Sequence, residues 1–280
     1  MNKLESVIAM GAHAAELRAA GKTLGLVPTM GGLHAGQDGL IRAAAQKTDC
    51  PIVVVFVNAL QFSPNESPER YPRRLEADLA RCEANGAHTV FAPSAEELYP
   101  RGFGAFVTEE IISKKLCGIS RPNHFRGVTT LTAILLNLIR PHALFYGQKT
   151  FQRAVVVRRM AENLRFGVDV EVVPTVREPD GLAAGMRNPD FTASGRVEAL
   201  ALSRALQQIK EMVRNGVHSP DRLIAEATHI MGQHRRVRII YVAVVDRATM
   251  EPVREVVPGQ CMAAVAAWVD DIRLIDNVLL

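Results

Sequence analysis

The sequence predicts an α/β fold with a parallel sheet, followed by a smaller α+β domain. Three observations carry this prediction. Short apolar runs alternate with segments of helical period up to Val173, which is typical of βα units that build a parallel sheet. A stretch rich in Gly and Pro then interrupts the alternation. Beyond it, a helix-rich segment is followed by apolar strands, which favours a second, smaller sheet.

The strands of the first part lie between turn residues. They are predicted at residues 23–28, 51–57, 88–92, 143–146 and 168–173. The second of these segments contains four valines and one isoleucine, so we expect it to be buried on both faces of the sheet. Helices are predicted from Leu40 to Ala45 and over residues 69–85, 127–139 and 151–164.

The boundary between the two domains is predicted near the Gly/Pro-rich stretch that follows Pro174. We expect a first domain of residues 1–177 and a second of residues 178–280. In the second domain, helices begin near Ser194. They precede an antiparallel sheet with strands at residues 237–246, at 261–269 and near Arg273.

Composition excludes several classes of protein. Lys and Arg number 33 against 29 Asp and Glu, a net charge of +4 without a long basic run, and aromatic residues are only 5%. A nucleic-acid partner is therefore not expected. The four cysteines are far apart, so we expect buried or inert thiols in a reducing setting. The N-terminus lacks an apolar signal region, and Leu131 to Ile139 is too short to cross a bilayer, which predicts a cytoplasmic protein without a membrane partner.

The first candidate site is the glycine-rich segment Pro28 to Gln37, between a predicted strand and a predicted helix. Glycines there allow close approach of an anion, and free N–H groups at the helix start donate to it. His34 adds a further donor or a positive charge. The alternative is a glycine-rich turn with an incidental histidine.

Two other turns follow predicted strands. Asn58 and Gln61 come after the Val-rich strand and are suited to hydrogen-bond a small polar substrate, although polar residues are also ordinary in loops. Lys149 starts a predicted helix, where a cation is unfavourable beside the helix dipole unless an anion is near. Arg153 follows four residues later and shares its face. An exposed lysine is the alternative.

The interdomain segment contributes Arg177 and Arg187, and such segments commonly close over ligands. Three strand-to-helix turns together with these arginines indicate a site for a nucleotide or another multi-phosphate ligand. Neither a P-loop motif nor a dinucleotide-binding glycine motif occurs at these turns.

Nine short motifs, in this order and spacing, resemble the pantothenate synthetase family, the pantoate:beta-alanine ligases of the nucleotidyltransferase superfamily. They are PTMGGLH (Pro28–His34), FVNALQF (Phe56–Phe62), RYPRRLEADL (Arg70–Leu79), FAPSAEELYP (Phe91–Pro100), SRPNHFRGV (Ser120–Val128), YGQK (Tyr146–Lys149), PTVREPDGLA (Pro174–Ala183), RN (Arg187–Asn188) and RLIDN (Arg273–Asn277). The resemblance implies a Rossmann-like domain and a homodimer formed through it. The implied reaction is ATP-dependent condensation of pantoate with beta-alanine through a pantoyl adenylate, giving pantothenate, AMP and pyrophosphate, with Mg²⁺ as the metal.

The same resemblance implies roles for individual residues. Catalytic roles fall to His34, Gln37, Lys149 and Arg187. Pantoate would be bound by Pro28, Met30, Asn58, Gln61 and Arg153. ATP would be bound by Thr29, His34, Gly36, Gly147, Lys149, Thr150, Val176, Gly185, Met186 and Arg187. Asp78 would contact the magnesium–phosphate group.

The sequence departs from the family pattern at the implied site. Gln37 stands where the family has a second histidine, Thr150 replaces an aspartate, and Arg153 replaces a second pantoate-binding glutamine. Gly185 and Met186 replace two serines. These changes predict reduced or altered activity. They leave two alternatives to the ligase: a divergent paralogue acting on another acid and amine, or a catalytically silent binding protein on the same scaffold.

Overall fold

A computed structural model describes residues 1–63 and 66–280. Its larger sheet has six parallel strands in the spatial order β1-β4-β3-β2-β5-β6. The strands are β1 (Asn2–Leu4), β2 (Leu24–Thr29), β3 (Cys50–Val55), β4 (Thr89–Phe91), β5 (Ala143–Gly147) and β6 (Asp169–Val173). The parallel pairing and intervening helices confirm the predicted α/β, Rossmann-like fold class.

The helices alternate with these strands and then continue beyond β6. They are α1 (Val7–Ala19), α2 (Ala35–Lys47), α3 (Leu75–Ala84), α4 (Ala95–Leu98), α5 (Cys117–Ser120), α6 (His124–Ile139), α7 (Phe151–Asn163), α8 (Ala193–Arg214) and α9 (Pro220–Gly232). Short 3-10 turns lie at Ala59–Gln61, Pro68–Arg70, Ile112–Lys114, Gln148–Thr150 and Asn188–Asp190.

The second sheet is antiparallel, with the order β7-β8-β9, as the sequence predicts. Its strands are β7 (Val237–Asp246), β8 (Cys261–Val269) and β9 (Ile272–Leu279). The strand β8 is almost wholly buried, because α8 and α9 cover this sheet and form a separate apolar core with it. The predicted domain limits of 1–177 and 178–280 stay a prediction.

Two predictions about local structure are wrong. The helix predicted over residues 69–85 begins only at Leu75, because Pro72 forces the preceding Tyr71 into extended backbone with φ −67° and ψ 129°. The strand β1 was not predicted. It has only three residues and gains its stability by pairing with β4, where Asn2 lies opposite Thr89.

The strand order determines where a ligand can bind. From β2 the sheet proceeds through β3 to β4 in one direction, and through β5 to β6 in the other. In open parallel sheets, such a reversal creates a crevice at the carboxyl ends of the two central strands. Here those ends lead into Met30 after β2 and Gln148 after β5, so the two predicted anion-binding turns meet at one crevice.

Three of the four cysteines, Cys50, Cys82 and Cys261, are buried, and Cys117 is half-buried at a cavity. Burial raises the pKa of Cys82 to about 12, which keeps that thiol protonated and inert. The prediction of buried or inert thiols is thus confirmed by burial for three cysteines and stays a prediction for Cys117. Within the described part of the chain, none of the helices is both long and apolar enough to cross a membrane.

Candidate active site

The loop after β2 that contains Gly31 and Gly32, here called the glycine loop, is held in place by a buried carboxylate. Asp78, on α3 and only 2% exposed, accepts hydrogen bonds from the backbone N–H groups of Gly32 at 2.9 Å and Leu33 at 2.8 Å. Gly31 and Gly32 have φ values of +81° and +61°, in the left-handed region that favours glycine. The loop is therefore fixed in a conformation that other residues would strain.

His34 begins α2 as its N-cap. Its Nδ1 accepts the N–H of Gly36 at 3.1 Å, and the amide oxygen of Gln37 accepts the N–H of His34 at 3.1 Å, which together form a capping box. Burial and the charge of Lys149 lower the pKa of His34 to about 4. The imidazole is therefore neutral at neutral pH and carries its proton on Nε2, as a donor rather than a cation.

Gln37 thus has a structural contact that the sequence did not predict. Its amide oxygen is used within the capping box, and its amide nitrogen keeps two N–H groups for donation. A neutral donor stands where the family resemblance implies a second imidazole.

Asn58 is fully buried, and both its amide oxygen and its amide nitrogen form hydrogen bonds within the protein. Its Oδ1 accepts from the Leu60 N–H at 3.2 Å and the Tyr99 hydroxyl at 2.9 Å, and its Nδ2 donates to the Gly127 carbonyl at 2.9 Å. The side chain therefore shapes the turn that carries Gln61. A direct contact of Asn58 with substrate stays a prediction.

Gln61 lies in the 3-10 turn after β3, where its amide nitrogen contacts the sulfur of Met30. Its backbone carbonyl accepts a hydrogen bond from Nδ1 of His124 at 2.9 Å and a longer one from Arg121 at 3.4 Å. Two of the predicted pantoate-binding residues, Met30 and Gln61, are therefore in direct contact.

Gly127 packs against the turn that carries Gln61, and the sequence did not single it out. A Cβ at this position of α6 would lie 2.4 Å from the carbonyl of Leu60 and 2.6 Å from the backbone nitrogen of Gln61. Only glycine allows the helix to approach the turn so closely. The glycine in the SRPNHFRGV motif was the available signal, but its contact joins segments distant in sequence.

Lys149 extends from the 3-10 turn after β5 toward the interdomain segment. Its Nζ donates to the carbonyls of Ala184 at 2.9 Å and Ala183 at 3.2 Å. Burial lowers the pKa of this ammonium group, and the nearby carboxylate of Asp276 opposes that shift. Lys149 faces the same crevice as the glycine loop, because its Nζ lies beside Gly185 and the next residue, Met186, packs against Gly32.

The side chain of Arg187 does not lie with His34 and Lys149 at the crevice. Its side chain is 53% exposed and pairs with Asp190 at the surface. The two preceding residues lie at the crevice instead. A Cβ on Gly185 would lie 2.9 Å from the Lys149 Nζ, and the side chain of Met186 covers Gly32. The departures from the family pattern therefore concentrate around Lys149 and the glycine loop.

Further residues with predicted roles, Thr29, Thr150 and Val176 for ATP and Pro28 for pantoate, lie on the elements around the crevice. The Thr29 hydroxyl donates to the Val54 carbonyl at 2.7 Å, and the Thr150 hydroxyl to the Gly147 carbonyl at 3.2 Å. Pro28 lies within β2, and Val176 lies against α2 where a Cβ on Gly39 would be 3.2 Å from its methyl group. Their contacts with substrate stay predictions.

An ion pair fastens the interdomain segment to the second sheet. Arg177 donates to both oxygens of Asp276, at 2.7 and 3.1 Å, and Asp276 is only 4% exposed. The neighbouring Asn277 donates to the Gln148 carbonyl at 2.7 Å. The sequence predicted neither contact, although both residues belong to the RLIDN motif. They place the β9 strand beside the turn that carries Lys149.

Arg153 lies on α7 and lines a cavity of about 90 Å³ beside the second sheet. Residues that line the cavity include Arg121, His124, Lys149, Arg273 and Asp276. Among the described residues, Arg153 makes neither an ion pair nor a hydrogen bond, and its Nε is covered by protein. Burial lowers the pKa of this guanidinium.

The geometry thus joins a phosphate-binding type of loop, a neutral imidazole and a lysine at one crevice. A family model described as pantoate-beta-alanine ligase matches residues 2–279. The chain belongs to the pantoate-beta-alanine ligase family. It is therefore an enzyme, a ligase of pantothenate biosynthesis, as the sequence motifs predicted.

Relatives of known name cover the whole chain. Pantothenate synthetase of Thermotoga neapolitana is 43% identical over 280 residues, which are 100% of both chains. That of Geobacter sulfurreducens is 41% identical over 280 residues, 100% of this chain and 99% of the relative.

Solved structures of the family have the same fold. Pantothenate synthetase of Thermus thermophilus superimposes with a TM-score of 0.91 at 38% identity, over 99% of both chains. The pantoate-beta-alanine ligase of Francisella tularensis, complexed with beta-gamma ATP and beta-alanine, has a TM-score of 0.78 at 26% identity. It covers 100% of this chain and 97% of that one. The parallel sheet is thus of the nucleotidyltransferase type seen in this family.

Proposed function

We propose that this enzyme condenses pantoate with beta-alanine at the expense of ATP, through a pantoyl adenylate. The observation that carries the proposal is that the glycine loop, neutral His34 and Lys149 meet at the crevice where the strand order of the parallel sheet reverses. The Francisella tularensis ligase, whose complex contains beta-gamma ATP and beta-alanine, supports the choice of ATP and beta-alanine as substrates.

Two displacements make up the reaction. A carboxylate oxygen of pantoate attacks the α-phosphorus of ATP, and the bond to the pyrophosphate oxygen breaks. The amine of beta-alanine then attacks the acyl carbon of the adenylate, loses a proton and expels AMP. Neither step requires a nucleophile from the protein. The enzyme has to align the reactants and stabilise charge on the leaving groups.

Lys149 and His34 are suited to this task in different ways. The ammonium group of Lys149 has three N–H donors, and the carbonyls of Ala183 and Ala184 engage two of them. The third remains for a phosphate oxygen. His34 donates from Nε2 without adding charge, because its pKa is near 4. Together they provide one charged and one neutral hydrogen bond to the departing pyrophosphate.

The acid would lie beside the turn that carries Gln61. The amide of Gln61 and the sulfur of Met30 form one wall there, and the hydrogen bonds of Asn58 hold the turn in place. In this proposal Asn58 and Gly127 position the acid pocket, and Gln61 contacts the acid.

The described residues do not build a site for the Mg²⁺ that the family resemblance implies. Among residues 1–63 and 66–280, no cluster of three His, Cys, Asp or Glu side chains is placed to hold a metal. Both carboxylate oxygens of Asp78 already accept hydrogen bonds from backbone N–H groups. Since Mg²⁺ usually keeps water ligands and binds substrate phosphates, we propose that it arrives with ATP, and we assign no step to it.

Pyrophosphate exchange tests the proposed function. The enzyme is incubated with ATP, Mg²⁺, pantoate and labelled pyrophosphate, and label should enter ATP only when pantoate is present. Beta-alanine should then yield pantothenate and AMP, detected by mass spectrometry. Exchange that does not depend on pantoate, or no exchange at high enzyme concentration, contradicts the proposal.

Two substitutions that restore family residues measure how much the departures from the family pattern reduce activity. Gln37→His and Thr150→Asp restore the residues that the family pattern has, and we expect exchange to rise about tenfold or more if these positions limit the rate. An unchanged rate would show that neutral groups suffice at both positions. The homodimer that the resemblance implies remains a proposal, which light scattering of the purified enzyme tests.

A further inference from the structure

The side chain of Asn188 is buried beside Lys149, and the proposed reaction gives it no role so far. It is only 3% exposed. Its Nδ2 donates to a carboxylate oxygen of Glu178 at 2.5 Å and to the carbonyl of Ala183 at 3.1 Å. Its Oδ1 is covered by protein, and no group among the described residues donates to it. A buried acceptor without a donor is unfavourable, and it indicates a site that takes up a donor.

The orientation of this amide is fixed by its neighbours. Glu178 is paired with Arg196 and is therefore an ionised carboxylate, which only accepts hydrogen bonds, as does the carbonyl of Ala183. The amide nitrogen has to face these two acceptors, since the reversed amide would place Oδ1 against them. The backbone N–H of Asn188 donates to the Gly185 carbonyl at 3.0 Å and closes a tight turn. Oδ1 is thus directed back toward Gly185.

Gly185 leaves room between Oδ1 of Asn188 and the ammonium group of Lys149. A Cβ at residue 185 would lie 2.8 Å from this Oδ1 and 2.9 Å from the Lys149 Nζ. The two atoms are therefore no more than two hydrogen-bond lengths apart. Any larger side chain at residue 185 would fill the room between them, whereas glycine allows a small ligand to enter.

The chemistry of the surroundings indicates which ligand can pair with Oδ1. The proposed function places ATP phosphates at Lys149, and phosphate oxygens cannot pair with Oδ1 because both are acceptors. A cation is disfavoured by the neighbouring ammonium group, whose N–H donors serve Ala183, Ala184 and the phosphate. Water is small and neutral and has two O–H donors. It commonly fills polar buried sites that offer several partners.

We infer that this site binds an ordered water, which Asn188 orients so that its second O–H donates to a phosphate of ATP. Asn188 is then a positioning residue of the nucleotide site. The inference rests on the proposed function, because it adds a donor at the same phosphates. A serine at residue 185, as in the family pattern, would carry a hydroxyl into the same place, so the water provides the donor that Gly185 lacks.

Two substitutions of Gly185 test whether a hydroxyl donor acts at this place. The backbone of Gly185 is outside the left-handed region, so it accepts other residues. Gly185→Ala and Gly185→Ser add the same Cβ and displace the water, but only serine returns a hydroxyl. We expect pyrophosphate exchange by Gly185→Ser to be about tenfold to a hundredfold faster than by Gly185→Ala. Gly232→Ala, where a methyl group meets nothing within 4 Å, is the control and should exchange like the unaltered enzyme.

A double-mutant cycle shows whether Asn188 acts through the water. Asn188→Leu removes Oδ1 and should slow exchange about tenfold in the unaltered enzyme. In Gly185→Ser the hydroxyl is attached to the chain, so the same substitution should slow exchange less than about threefold. A purely structural role of Asn188 would give equal losses in both backgrounds. Asn215→Leu, at an exposed asparagine, is the matched control, and melting temperatures confirm that all variants fold.

Calorimetry with ATP and Mg²⁺ provides a measurement that does not require turnover. We expect Gly185→Ser to bind ATP at least about threefold more tightly than Gly185→Ala, since a phosphate gains one hydrogen bond. Equal exchange rates and equal ATP affinities of these two variants would overturn the inference. Equal losses on Asn188→Leu in the two backgrounds would overturn it as well.

The unaltered enzyme separates these failures from that of the proposed function. Pantoate-dependent exchange together with either of the contrary results overturns the inference alone. Absence of exchange by the unaltered enzyme overturns the proposed function, and the ATP affinities of Gly185→Ser and Gly185→Ala then decide whether the water site exists.

Discussion

Lys149, in the 3-10 turn before α7, and Arg153, in the first turn of α7, lie four residues apart, yet their positive charges have different surroundings. Lys149 donates to two backbone carbonyls and lies near the carboxylate of Asp276. Arg153 has no hydrogen-bond partner among the described residues, and a second arginine, Arg121, lines the same cavity. The cation at the proposed nucleotide end is thus hydrogen-bonded to the protein, whereas the cation at the proposed acid end has no hydrogen-bond partner among the described residues.

Both ends of the cleft depart from the family pattern, since Gln37, Thr150, Gly185 and Met186 are replacements at the nucleotide end. The lysine of the nucleotide end is retained, and its supporting loop is held by Asp78. At the acid end, Arg153 stands in place of a neutral amide.

The largest expected effect is on catalysis at the nucleotide end. Replacing Lys149 by Met should slow pyrophosphate exchange about a hundredfold to a thousandfold, because one transition-state donor and its charge are lost. Lys22→Met, at an exposed lysine, is the control and should leave the rate unchanged. A loss of less than tenfold in Lys149→Met would show that the nucleotide end does not depend on this cation.

Gly127→Ala tests the packing behind the acid end. The added methyl group would lie 2.4 Å from the Leu60 carbonyl, so we expect the free energy of unfolding to fall by about 1–3 kcal/mol. Acid affinity should also fall, since the turn that carries Gln61 moves. Gly232→Ala is a matched control, because a methyl group there meets nothing within 4 Å. Equal urea midpoints for the two variants would contradict the close packing.

Asp78→Asn separates a structural role from a metal-binding role. Asparagine retains one acceptor oxygen, so one backbone N–H of the glycine loop loses its charged partner and the free energy of unfolding should fall by about 1–3 kcal/mol. The measurement is made in EDTA, with Asp271→Asn, at an exposed aspartate, as control. A loss that appears only when Mg²⁺ is added would favour the metal contact.

Stability measurements compare the two cations directly. We expect Lys149→Met to lower the free energy of unfolding by about 1–2 kcal/mol, because two carbonyls lose a charged donor. Arg153→Met should raise it by about 1–2 kcal/mol, since an apolar side chain replaces a buried charge without a counter-ion. Chemical denaturation in the absence of ligands measures both. Changes of the same sign would remove the distinction between the two ends.

A further effect concerns pH. The pKa of His34 is about 4 in the folded state, below its ordinary value of about 6.5, so the unfolded state takes up a proton first as the pH falls. The contribution of His34 to stability is therefore complete above pH 6.5 and is lost as the pH falls toward 4. His34→Gln should flatten this dependence, whereas His229→Gln, at an exposed histidine, should not. An NMR titration of His34 with a midpoint near 6.5 would contradict the neutral donor.

Much of the fold could be predicted because strands with strong apolar patterns are locally encoded. The bounds of β7 and β8 agree with their predictions, since alternating or fully apolar runs end there at turn residues. The strand β1 could not be predicted, because three residues with polar character become a strand only by pairing with β4. Pro72 gave a local signal against the long helix at 69–85, and the helical period of the neighbouring residues obscured it.

The candidate site was only partly predictable for a similar reason. His34, Gln61 and Lys149 follow strands directly, so the sequence indicates that they share one sheet edge. The supporting contacts of Asp78 and Gly127 bridge 46 and 69 residues of chain. No local pattern specifies such contacts, and the same holds for the pairing of Arg177 with Asp276.

The sequence by itself determined the family, the parallel sheet and the chemical groups at the carboxyl ends of its strands. These follow from residue types and their spacing along the chain. Only the tertiary structure decided that His34 is neutral, that Lys149 has partners and that Arg153 has no described one. Protonation and pairing depend on burial and on neighbours from distant segments, and only folding brings these together.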